Sequence, residues 1–369
     1  MSASKVYFTN FRAHNFENML DKLRRLCKTA GMESMDFQDK FTAIKMHFGE
    51  PGNLAFLRPN YARVLVDYVK KLGGKPYLTD CNTLYVGMRS NAVDHLQAAD
   101  FNGFTPQTVG CHVLIGDGLK GTDEVHVPVK GDYVRSAKIG RAVMDADVFL
   151  SLTHFKGHEA AGFGGALKNI GMGCGSFDGK KEMHASSNPA VDRSGCVGCG
   201  ICIENCAHGA IKMDEGKAAI DTSKCVGCGR CVGACPEKTI HFMNDQANEI
   251  LVKKIAEYAQ AVLDGRPHFH VSLIMDVSPY CDCHAENDAP IIPDIGMLAS
   301  FDPVALDQAC ADLANKEKPI RGSMLDEMSH TNPGDHFNAI FNDTNWQVGL
   351  EHAEKLGIGT REYELIDIK

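Results

Sequence analysis

The chain has 369 residues, with 38 Lys and Arg against 47 Asp and Glu, enough for one large domain plus a smaller one around a sizeable core. The acidic balance excludes a sequence-independent nucleic-acid binder, which needs a basic face to neutralise phosphates. The opening MSASKVYFTN is not a charged-then-apolar leader, and apolar runs such as VLVDYV and DVFLSL are too short to cross a bilayer, so the expectation is a soluble cytoplasmic protein with no nucleic-acid or membrane partner.

Strand-like and helix-like segments alternate along most of the chain. KVYFT leads into an amphipathic run over 16–30, where Met19, Leu23, Leu26 and Cys27 recur at helical spacing. TAIKMHF (42–48) reads as a strand and 58–74 as a helix stopped by glycines. The series continues with KPYLTDC, a helix over 89–100, VLIGD, a helix over 137–145 and DVFLSLTHF (147–155). A helix over 244–263, the strand HFHVSLIMDV (268–277), a helix over 304–314 and YELIDI complete it. Such alternation predicts an α/β fold, a mostly parallel sheet flanked by helices.

Residues 187–244 break the rhythm. Two cysteine runs, each followed by a short apolar stretch, enclose a hairpin-like segment turning at Asp214–Gly216. This stretch reads as a ferredoxin-like α+β module inserted into a discontinuous host domain, 1–186 and 245–369. Of the fifteen cysteines, eight lie between Cys196 and Cys235, and such clustering in a chain without a secretory leader points to metal rather than to disulfides.

The runs are CVGCGICIENCA and CVGCGRCVGACP, each C-x2-C-x2-C-x3-C. That is the spacing of bacterial two-cluster ferredoxins, in which three cysteines of a run reach one cubane and the fourth ligates the other. Cys196, Cys199, Cys202 and Cys235 are therefore expected to hold one 4Fe–4S cluster, and Cys225, Cys228, Cys231 and Cys206 the second. Structural zinc prefers cysteine pairs separated by longer loops, one tetrahedron per four ligands, and fits poorly. Ala207 stands where the second run has Pro236; proline is no ligand, so the assignment is unaffected.

The flanking stretches THFKGHEAAGFGGALKNIGMGCGS (153–176), TDCNTLYVG (79–87), YCDCH (280–284) and SFDPVALD (300–307) carry a resemblance. Together they resemble the family catalogued as domain of unknown function 362, and more narrowly its subgroup of uncharacterised Fe–S centre proteins with an inserted ferredoxin module. The resemblance covers essentially the whole chain. It implies Fe–S binding and a host domain common to the family, and it supplies no reaction.

In open parallel sheets, ligands bind beyond the carboxyl ends of the strands. Those ends deliver His47 and Glu50, Asp80 and Asn82, Asp117, His154 with Lys156 and His158, and Cys281 with Cys283. Gly162, Gly164 and Gly165 then open a short helix bearing Lys168 and Asn169, whose free N–H groups would favour an anion. GFGG lacks the third glycine of a dinucleotide fingerprint, so close helix packing is an equal reading. His154, His158 and Lys168 are the candidate catalytic residues, the histidines alternatively serving as metal ligands or as hydrogen-bonded strand-end residues. The two thiols of CDCH can bind a soft metal, act as a redox pair or stay reduced and idle; with Cys174 they form a candidate third metal or thiol site. Cys27 and Cys310 sit at apolar helical positions and read as core, and Asp302, before Pro303, as a helix cap.

The leading expectation is a redox enzyme or enzyme component, an oxidoreductase passing electrons from two 4Fe–4S clusters to a small-molecule substrate or metal in the α/β domain. The alternatives are a metal or cluster maturation or carrier protein, and an electron carrier docking a redox partner protein. No flavin fingerprint is present, and α/β folds can bind flavin without one.

Overall fold

The computed structural model describes residues 3–368 except 14, 187, 245, 329 and 330. The expected module boundaries at 187 and 245 thus lie outside the described residues.

Eight strands form one sheet: β1 (Ser4–Asn10), β2 (Phe41–Lys45), β3 (Lys75–Asp80), β4 (Val113–Ile115), β5 (Val148–His154), β6 (His268–Ile274), β7 (Gly296–Ser300) and β8 (Tyr363–Asp367). Their lateral order is β8-β1-β7-β6-β5-β2-β3-β4. Every pairing is parallel except those of β7, which runs antiparallel to both β1 and β6. The central strand β5, VFLSLTH, is buried at every position, as a strand covered on both faces must be.

Each face has its own core. Helices α1 (Met19–Thr29) and α2 (Pro59–Lys71) bury Leu23, Leu26, Leu65 and Val69 on one side. On the other, α3 (Ala166–Cys174), α4 (Ala247–Leu263) and α5 (Pro303–Ala314) bury Ile170, Ala256 and Ala309. Local chemistry starts these helices where they start. The Asn18 side chain accepts from the Leu20 and Asp21 N–H groups, and Asp302 accepts from those of Val304 and Ala305.

Helices α3 and α4 pack unusually closely. A Cβ on Gly171 would sit 2.1 Å from the Ile255 carbonyl oxygen, so only glycine permits the contact. Gly171→Val is expected to destabilise the chain by about 1–3 kcal/mol through overpacking. Urea unfolding checks this, and an unshifted midpoint would mean that the helices separate without cost.

The stretch expected to be a helix over 137–145 is divided. Ser136–Gly140 is a strand paired antiparallel with Glu124–Pro128, and only Arg141–Met144 is helical. Ala137 and Ile139 are buried while Ser136 and Lys138 are partly open, the period of two of a strand.

Within 188–244, Pro189–Val191 pairs antiparallel with Ile240–Phe242, and Ile211–Asp214 with Lys217–Ile220. The second hairpin turns on Glu215 and Gly216, both with positive φ (48° and 76°), the requirement of a type I′ turn. Ile211, Ala218 and Ile240 form a small core with Cys196, Cys202 and Cys231.

The chain direction fixes where a crevice opens. From β2 it moves outward to β3 and β4, then returns to place β5 on the other side of β2. The order reverses between β2 and β5, and open sheets bind ligands at the carboxyl ends flanking such a reversal.

Candidate functional site

Cys196, Cys199, Cys202 and Cys235 line one cavity, and Cys206, Cys225, Cys228 and Cys231 line another. Each set takes three cysteines from one run and the last from the other. Backbone N–H groups point at the sulfurs, Ala218 at Cys196 (3.5 Å) and Ala210 at Cys206 (3.3 Å). Among the described residues, no three His, Cys, Asp or Glu side chains converge tightly enough to hold a single ion. The sulfurs surround a space rather than a point.

The first cavity is the outer one, with Cys199 exposed. The second abuts the sheet domain. Its lining residue His208 donates to the Leu84 carbonyl (2.9 Å), and Arg230 hydrogen-bonds His284 and pairs with Glu286 (2.9 Å). Tyr85, raised well above its usual pKa mainly by burial, feels the charge of both Cys283 and Cys228.

A further cavity, of about 60 Å³, opens at the β2–β5 reversal. Lys45 and His47 reach it from β2, Asp80 and Cys81 from β3, Lys156 from beyond β5, and Lys168 and Asn169 from α3. Cys281 and Cys283 enter from the loop after β6, with Tyr85, Arg89 and Lys180 completing the wall. The Lys168 Nζ lies 3.4 Å from the Cys281 Sγ. The hydrogen bond from Cys283 holds Cys281 well below the ordinary thiol range, against the opposing effect of burial, and Lys168 and Lys156 add to it. Cys283, the donor, is correspondingly raised.

The family model described as Domain of unknown function (DUF362) matches residues 42–312. The chain belongs to that family. The matched stretch contains every residue that lines the sheet-end cavity. No curated protein matches the chain in sequence. The lactate racemase apoprotein from Thermoanaerobacterium thermosaccharolyticum is similar at 11% identity and a TM-score of 0.45, over 85% of this chain and 58% of that one. A structural-genomics protein from Thermotoga maritima is similar at 12% identity and a TM-score of 0.37, over 79% and 57%. This DUF362 chain thus spans less than three fifths of either solved chain.

Of the residues expected to act, Lys168, Cys281 and Cys283 line the cavity and His154, His158 and Cys174 do not. His154 spends both ring nitrogens inside the protein, Nδ1 on Asp282 Oδ1 and Nε2 on the Met275 carbonyl, each at 2.8 Å. It is a brace for the CDCH loop. The His158 Nδ1 accepts from the Ala160 and Ala161 N–H groups, and burial pushes the ring down to about 4, leaving it neutral. Cys174 ends α3 inside the core, where its carbonyl accepts from Cys81, so it does not join the CDCH thiols.

The start of α3 is also not free for a ligand. The Asp307 carboxylate, from α5, accepts from the Ala166 and Leu167 N–H groups (2.6 and 2.9 Å). Burial raises Asp307 to about 7 despite those two bonds. The anion that the helix start favours is supplied by the chain itself.

Lys45, Arg89 and Lys180 carry no sequence signal of function, since lysines and arginines ordinarily read as solvated. Here all three are buried. Their burial is the signal, and only the fold reveals it.

The thiolate character of Cys281 has a direct readout. Its alkylation by iodoacetamide should keep its full rate at pH values below the ordinary thiol range of about 8.5. In Lys168→Met the profile should shift upward. An ordinary thiol profile in the parent chain would contradict the assignment.

Proposed function

We propose that this chain is an iron–sulfur electron-transfer protein, a redox enzyme or enzyme component of the Fe–S-bearing type within its family. Residues 188–244 act as a ferredoxin-type module holding two 4Fe–4S clusters. The observation that carries the reading is the division of eight cysteines between two cavities in crossed sets of four. That is the donor set two cubanes require, with soft thiolates, amide N–H groups aimed at sulfur, and room between the ligands. When bound, the clusters supply one-electron transfer.

The protein's own residues give this electron transfer a path. Cys199 leaves the outer cavity open to a redox partner protein, while the inner cavity meets the sheet domain through Arg230, His284 and Tyr85. Beyond Tyr85 lies the cavity with Cys281 and Cys283, where a substrate would receive or give up electrons. Cys174 stands apart from that pair, so the geometry favours a redox enzyme over a carrier that needs three thiolates around one metal.

Anaerobically purified protein should contain about eight irons and eight sulfides per chain, and dithionite should bleach its visible charge-transfer absorption. Stoichiometric zinc without sulfide would sink the proposal.

A further inference from the structure

The sheet-end cavity has a charge arrangement that redox function alone does not require. Five cationic side chains line it, Lys45, Arg89, Lys156, Lys168 and Lys180, against one carboxylate, Asp80. Lys45 pairs with Asp80 at 3.0 Å. Arg89 also reaches Asp80, at 4.0 Å, but its nearer partner Glu50 (2.8 Å) and the Lys156 partner Asp282 (3.3 Å) stand behind the wall rather than in it. Lys168 and Lys180 have no carboxylate partner among the described residues, Lys180 donating to the Gly175 carbonyl and Lys168 facing the Cys281 sulfur. Asp117 feels the charge of Lys180 but accepts from Asn82.

One atom sharpens this. Arg89 is 1% exposed, and its Nη2 has no hydrogen-bond partner among the described residues. A buried guanidinium donor left unmade is costly, and cavity-lining residues with such a donor await an acceptor. The cavity volume of about 60 Å³ has room for a few water-sized groups, the scale of a small oxyanion.

We infer that this cavity binds a small oxyanion, a carboxylate or phosphate group, with Lys168, Lys180 and the Arg89 Nη2 as its recognition groups and the Cys281 and Cys283 thiols beside it. The inference rests on the proposed function, for which it names the substrate class. Lysines supply point charge and Arg89 a directed donor, the combination that recognises oxyanions. The anion would sit against the thiolate-bearing loop, so its arrival also restricts access to Cys281.

Calorimetric titration of the anaerobically purified full chain with inorganic phosphate and, separately, with oxalate tests this. Sodium chloride at matched ionic strength is the reference. One or both anions should bind saturably, raise the unfolding midpoint and slow Cys281 alkylation, located by peptide mapping. Lys168→Met and Lys180→Met, each checked for folding by circular dichroism, should weaken binding by about tenfold or more, the loss of one charge-assisted contact. Phosphate alone binding identifies a phosphate ligand, and oxalate alone a carboxylate. The inference is overturned if neither anion exceeds chloride, or if both variants bind as the parent does. Iron and sulfide are measured on the same samples. Full cluster content with no anion effect removes the oxyanion site and leaves the electron-transfer reading intact. Anion protection of Cys281 in protein lacking clusters does the reverse.

Discussion

Replacing Cys199 and Cys235 together with Ala is expected to cost the protein no more iron than replacing either alone, about four of eight. Replacing Cys199 with Cys206 should remove nearly all of it. The ferredoxin spacing crosses the two runs, the last cysteine of each belonging with the other. In the fold, Cys235 lines the cavity of Cys196, Cys199 and Cys202, while Cys206 lines that of Cys225, Cys228 and Cys231. Two ligands of one cubane are redundant targets, whereas ligands of two cubanes are additive ones. The logic survives a three-iron remnant, since the single and double variants of one set would still resemble each other. Iron and sulfide per chain, measured anaerobically, decide it; additive loss in Cys199→Ala/Cys235→Ala would refute the crossed arrangement.

What could be read without the fold divides along physical lines. The mostly parallel sheet was legible in β5 and β2 because strands buried on both faces run largely apolar, and the βα alternation leaves few other architectures. Strand β7 was not, because GMLAS is short, follows two prolines, and antiparallel pairing leaves no mark on a single strand. The cysteine spacing reports local loop geometry, which is why it was readable. The sheet-end site depends on contacts across long separations. Asp307 caps a helix 140 residues away, and Asp282 braces His154 from 128 residues away. The place of Cys174 in the core depends on which way a helix turns its last residue, which sequence does not state.

Asp282→Asn should lower stability by roughly 3–5 kcal/mol at neutral pH, the cost of leaving a buried charge without its partner. Asp282 is fully buried, 2.8 Å from the His154 Nδ1 and 3.3 Å from the Lys156 Nζ, and its backbone carbonyl accepts from the Glu50 N–H. Burial alone would raise its pKa, but the neighbouring His154 and Lys156 outweigh it and hold the carboxyl far below the usual range. A carboxyl depressed on folding contributes stability that is full above its unfolded value of about 3.9 and lost as the pH falls below it. The parent chain should therefore lose this contribution in acid, while Asp282→Asn, already without it, should show a flatter acid limb. Urea midpoints at pH 7, and from pH 4 down to pH 2, measure both effects. Because Asp282 lies between Cys281 and Cys283, its anchoring also sets where the two thiols point. The variant should therefore alkylate Cys281 with a profile closer to that of an ordinary thiol. A variant as stable as the parent at pH 7, with Cys281 unchanged, would mean that the loop is held by its backbone and that the buried ion pair is incidental to the thiol site.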